Sequence, residues 1–138
     1  DETYIETGWL RATHRKLDSA TSTELDPRPT HQEADAEPLS ATEPALNRIS
    51  ISPVVHAFRK GSRIRVTLTA PGGDRPLWMW KTIDDGTTEV TVHSTVATPS
   101  SLVLPVVEGT RAGGPLPACN ALRGQPCRRY LPTTNASS

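Results

Sequence analysis

Arg63-Ile64-Arg65-Val66-Thr67-Leu68-Thr69-Ala70 is the stretch on which the fold class turns. Ile64, Val66, Leu68 and Ala70 fall on one side of an extended chain; Arg63, Arg65, Thr67 and Thr69 fall on the other. Successive side chains of a strand point to opposite faces, so this alternation predicts a strand with one face on a core and one in water. A turn signal, Lys60-Gly61-Ser62, precedes it, and the loop Pro71-Gly72-Gly73-Asp74 follows.

Further strands are expected on both sides. Residues 3–13 favour one through Tyr4, Ile5, Trp9 and Thr13, with Gly8 marking a bulge or a close-packing point. In Leu46–Ser52, Ile49 and Ile51 share a face. Leu77–Ile83 and Thr88–Val96 flank Asp84-Asp85-Gly86, a hairpin turn in which Gly tolerates positive φ. Ser101–Val107 is a continuous apolar run, read as a final buried strand. Between the first two strands, from Lys16 to about Ala45, the composition shifts to Asp, Glu, Thr, Ser and Pro. That is a long acidic loop, and loops beyond about 12–15 residues are uncommon unless functional or packed on a neighbour.

The six candidates form an all-β class with long loops. Thirteen Pro and nine Gly break up any long helix, and six aromatics make a thin core for 138 residues. Strands with one apolar face and no neighbours leave unpaired edges and exposed apolar surface. The chain also opens at Asp1 without an initiator Met. It therefore reads as a piece of something longer, with the missing strands before Asp1 or on another chain.

Charge and hydropathy exclude several classes of partner. Fifteen basic and fifteen acidic residues cancel, so no electrostatic footprint for nucleic acid or an anionic membrane is visible. No apolar run approaches the roughly 20 residues that span a bilayer, and no signal peptide is present. After Glu108 the sequence becomes Gly/Pro punctuation around Cys119 and Cys127, eight positions apart. The pair reads as a local disulfide that pins a tail, the alternative being two free thiols in a reducing compartment. Residues 1–110 are assigned to the sandwich and 111–138 to the tail. Asn135-Ala136-Ser137 fits a glycosylation sequon but lies in a polar terminus and is set aside.

No catalytic, cofactor or metal site emerges. A serine hydrolase of the α/β type needs G-x-S-x-G, and Gly61-Ser62 lacks the flanking pattern. His14 stands beside Arg11, Arg15 and Lys16, a basic edge for solvent, a neighbouring domain or an anionic group. His31 lies near Glu33 and Asp35, but no paired His spacing supports a metal. His56 reads as a structural residue and His93 as a surface one. Trp78 and Trp80 alternate onto one side of a strand. Exposed, they would form a carbohydrate platform; buried, they are core or interface aromatics.

Four segments carry a family resemblance. Gly8-Trp9-Leu10-Arg11-Ala12-Thr13-His14-Arg15-Lys16-Leu17-Asp18 resembles a signature of the C-terminal, non-catalytic domain of bacterial cocaine-esterase and X-Pro dipeptidyl-peptidase type serine hydrolases. His56-Ala57-Phe58-Arg59-Lys60-Gly61-Ser62-Arg63-Ile64-Arg65-Val66 looks like the second recurrent block of that family. Ser101–Val107 is similar to its closing strand, and Cys119 to Tyr130 to a tail of secreted members. The segment Ala70-Pro71-Gly72-Gly73-Asp74-Arg75-Pro76 departs from the family's Ser-rich continuation, so loop contacts and substrate class do not transfer from the cocaine-esterase branch.

The resemblance implies a jelly-roll (galactose-binding-like) β-sandwich, incomplete in this chain, packed against an α/β-hydrolase catalytic domain and a helical cap. That catalytic domain is expected upstream in the same polypeptide or as a separate chain. Its Ser, Asp and His precede this domain, and none maps onto positions here. The expected role is to buttress a secreted bacterial acyl esterase or dipeptidyl peptidase and shape its outer active site. The rival reading is a free-standing carbohydrate- or ligand-binding β-sandwich.

Overall fold

Among the described residues, ladder pairing joins an early segment of the chain to a late one. A computed structural model describes residues 1–69, 89–121 and 125–130. Strand β1 (Glu2–Thr3) runs antiparallel to β2 (Cys127–Arg128), with Glu2 opposite Arg128 and Thr3 opposite Cys127. The pairing continues one residue further where the Tyr4 N–H donates to the Pro126 carbonyl at 3.0 Å. Two isolated antiparallel bridges follow, Gly8 with Ile51 and Leu17 with Pro29. The remaining elements are 3₁₀ turns at Ala12–His14 and Glu33–Asp35. Among the described residues no helix is long and apolar enough to cross a membrane. The architecture is β-type and sparsely paired.

The chain divides into two units. The first comprises Asp1–Ala57 with Leu102–Ser138, and holds β1, β2 and both bridges. Its inner contact is the close approach at Gly8. A Cβ built there would lie 2.9 Å from Ile49 Cγ2 and as near the Ser50 carbonyl group, and the Ser52 N–H reaches the Thr7 carbonyl at 3.3 Å. Gly8 is thus the close-packing point expected from the sequence. The second unit, Phe58–Ser101, contains the expected turn at Lys60-Gly61-Ser62. Gly61 adopts φ 90°, and the Ser62 N–H bonds the Arg59 carbonyl at 2.9 Å. A second turn is closed by the Thr95 N–H on the Thr98 carbonyl at 3.2 Å.

Several expected strands join no ladder among the described residues. Residues 63–69 join no ladder, and Ile64, Val66 and Leu68 are 48%, 61% and 54% exposed. The same holds for 89–96, where Val90, Val92 and Val96 are exposed, and for Ser101–Val107, expected to be buried but open along its length. The first strand does not run to Thr13, because the chain curls into the 3₁₀ turn at Ala12. Among the described residues no large apolar side chain is buried. The physical reason is that alternation records which face wants cover, whereas strand stability comes from a neighbouring strand and a packed face. Leu77–Ile83, the turn Asp84-Asp85-Gly86, and Trp78 and Trp80 lie outside the described residues.

The Gly8 contact yields a direct expectation. Gly8→Ala should destabilise the protein by about 1–3 kcal/mol, the usual cost of overpacking against backbone. Denaturant unfolding measures it, and an unchanged midpoint would show that this approach is not tight.

Candidate functional site

The signature stretch is organised by one side chain, Arg15. The Arg11 carbonyl accepts the His14 N–H at 2.7 Å and so turns the backbone over residues 12–14. That turn aims Arg15 back along its own segment. Its guanidinium donates to the Ala12 carbonyl at 3.2 Å and to the Glu37 carbonyl at 2.7 Å, and pairs with a Glu37 carboxylate oxygen at 2.7 Å. The Arg15 side chain is only 14% exposed. In return the Glu37 N–H donates to the Thr13 carbonyl at 2.8 Å. Beside it Lys16 forms an ion pair with Asp35.

These pairs close the acidic loop at its neck. Sequence reasoning placed Arg15 and Lys16 on a basic edge for solvent, a neighbouring domain or an anionic group; Lys16 does stand exposed, Arg15 is largely shielded, and both pair with carboxylates of the loop they precede. The available signal was a basic cluster followed by an acidic run. What it lacked was the identity of the pairs, which depends on how the loop returns. His14 remains in the turn, with Nδ1 at 3.0 Å from the Thr13 hydroxyl.

Inside the neck the loop is a second, self-bonded layer. Lys16 and Asp18 face Thr30 and Arg28 across the Leu17–Pro29 bridge. The Asp18 N–H reaches the Arg28 carbonyl at 2.9 Å, and the Thr30 N–H reaches the Lys16 carbonyl at 3.0 Å. The Asp18 carboxylate accepts the Ala20 N–H at 2.9 Å and the Thr21 hydroxyl at 2.8 Å, an Asx turn of the kind short polar side chains favour. Those bonds, the Ala20 N–H first, hold the Asp18 carboxyl below its ordinary 3.8. Asp35 is lowered likewise, chiefly by the Lys16 ammonium and then by the Thr30 hydroxyl. Ser22 brackets Arg28 by accepting its N–H at 2.9 Å and donating to its carbonyl at 3.1 Å.

The surface around this loop has two shallow depressions. One of about 730 Å³ is lined by Trp9, Asp18, Pro27, Arg28, His31 and Arg48, among others; Pro27 is buried at its base. The other, of about 540 Å³, lies among Arg11, His14, His31, Glu33 and Pro38. Neither assembles hydrolytic machinery. Ser50 donates to Asp26 at 3.4 Å, and Ser100 donates to the His93 carbonyl at 2.5 Å, so these hydroxyls serve loop structure. His31, Glu33 and Asp35 do not converge on a metal position. Among the described residues the grouping that does is Asp1 with Cys119 and Cys127, whose sulfurs are joined to each other and carry no thiolate. His56 is half-buried and His93 exposed.

Two measurements check the neck. Arg15→Ala should cost about 1–3 kcal/mol, because it strips charge-assisted bonds from a half-hidden site, and Lys in its place should recover only part. The lowered carboxyls fix a sign. Asp18 and Asp35 bind protons less readily when the loop is formed, so their contribution is present above 3.8 and fades as pH falls through their lower folded values. Carboxyl carbon shifts should titrate with both midpoints below 3.8, and a midpoint at or above it would contradict this geometry.

No curated protein and no solved structure matches the chain. A family model does: that of the X-Pro dipeptidyl-peptidase C-terminal non-catalytic domain, over residues 1–103. The Gly8 contact, the Arg15 neck and the loop it closes all fall inside that span. The chain belongs to the family of X-Pro dipeptidyl-peptidase C-terminal non-catalytic domains.

Proposed function

We propose that this chain is an accessory β-sandwich portion of a secreted bacterial serine hydrolase, an acyl esterase or X-Pro dipeptidyl peptidase. It packs on an α/β-hydrolase domain, carried in the same polypeptide or on a separate chain. In that setting residues 1–110 contribute strands to a jelly roll and 111–138 form a stapled tail. The domain stabilises the catalytic unit and walls part of its active-site approach. One observation carries this reading: the family match spans the same chain whose apolar strand residues stand exposed. Val, Leu and Ile side chains gain roughly 1.5–3 kcal/mol each on full burial, so exposed rows of them favour a packed neighbour. The joined cysteines support an oxidising compartment.

The purified chain should hydrolyse neither a nitrophenyl ester nor an X-Pro nitroanilide. Removing residues 1–110 from the parent hydrolase should lower its unfolding temperature and cut kcat/KM by roughly tenfold or more. Turnover by the chain alone, abolished by one point change within it, would defeat the reading. So would a catalytic domain that keeps full stability and activity after the deletion.

A further inference from the structure

The tail that carries the cysteines is more than an appendage, since it supplies the only ladder partner of the first strand among the described residues. Cys127 sits opposite Thr3 in that ladder and is joined to Cys119 with a Cα–Cα separation of 5.5 Å. Ahead of the ring, a turn closes with the Ala121 N–H on the Ala118 carbonyl at 2.9 Å, and Asn120 takes φ 71°, a conformation Asn tolerates. This places Cys119 over β1, where its sulfur accepts the Thr3 hydroxyl at 3.5 Å and lies 4.0 Å from the Glu2 carbonyl oxygen. Arg128 adds an ion pair to Glu2 at 2.8 Å. The Cys119 end of the ring thus meets Glu2 and Thr3, while the Pro126–Arg128 end meets residues 2–4.

We propose that Cys119–Cys127 is a redox clasp on the edge of β1. With the bond formed, the ring holds β2 in register and residues 2–4 are capped. With the bond reduced, β2 is a two-residue strand on a segment no longer closed into a ring, and a pair that short does not persist without closure. Reduction uncaps the edge and leaves its N–H and C=O groups open to strand addition. Cys119 is exposed, so a reductant reaches it. The step balances with a small dithiol. One thiolate attacks a cystine sulfur to give a mixed disulfide, and the second displaces the protein thiol. Two electrons and two protons pass to Cys119 and Cys127 as the dithiol closes to its own disulfide. The clasp is thus open in a reducing cytosol and shut after transfer to an oxidising compartment.

Hydrogen exchange on the polypeptide as the cell makes it tests this. The Tyr4 amide, bonded to the Pro126 carbonyl, reports the clasp; the Asp18 and Thr30 amides, bonded to Arg28 and Lys16, report the loop. Chain-entropy reasoning for so small a ring gives an opening roughly 50–100-fold more frequent once the bond is cut. Reduced protein, and the C119S/C127S double variant, should both exchange Tyr4 at least tenfold faster while Asp18 and Thr30 keep their rates. Unchanged exchange at Tyr4 in either sample overturns the clasp. Acceleration of all three amides together overturns it too, because the bond would then be holding the whole unit.

Discussion

The Arg15 guanidinium is the contact on which the ordered part of this chain depends. It holds the Ala12 carbonyl and both the carbonyl and the carboxylate of Glu37, 22 residues further along the chain from Arg15, and does so from a position shielded from solvent. A half-hidden cation without partners is costly, so the residues that satisfy it are fixed with it. Glu37 cannot leave without stranding Arg15, and while Glu37 stays, the chain between must double back. Everything the loop contains follows from that return, including the Leu17–Pro29 bridge and the bracketing of Arg28 by Ser22. An exposed ion pair contributes little by itself. Here it matters because it is fused to backbone bonds on both sides of the neck.

Legibility in the sequence was uneven, for reasons that can be located in residues. Gly61 and Gly8 were readable because glycine in a strand context has few uses, and each has one of them here: positive φ in a turn, or room for another backbone. The joined cysteines were readable from their spacing within a Pro/Gly-rich tail. The acidic segment from Lys16 was readable as a loop by content, but its internal order was not. Asx turns and serine brackets depend on which polar side chain meets which amide, and composition does not encode that. The 3₁₀ turn at Ala12–His14 was hidden inside a run of respectable strand formers. The Arg11–His14 backbone bond makes it and the Arg15 contacts hold it, a tertiary context overriding local preference.

The apolar strands present the opposite case. Alternation at Ile64, Val66 and Leu68 marks one apolar face, yet it carries no information about what would cover it. Where a partner strand is present, even two residues pair, as at β1 and β2. Residues 63–69 and 101–107, with good propensity, join no ladder among the described residues and stand exposed. Propensity by itself does not make a ladder.

That view also orders the two kinds of restraint in the chain. The Arg15 neck is built from charges and backbone bonds between segments 13–16 and 35–37, which are close in sequence and cost little closure entropy. The β1–β2 pairing joins residues separated by almost the full length of the chain, so it bears a far larger closure entropy for two residues of ladder. A pairing with so little enthalpy over so long a span needs a local stiffener, and the ring from Cys119 to Cys127 is placed to supply it. The cysteines do not bridge the long span themselves. They rigidify one side of it, lowering the entropy still to be lost when Thr3 meets Cys127. A short disulfide loop, weak as a staple for a whole fold, is therefore well matched to securing a strand margin.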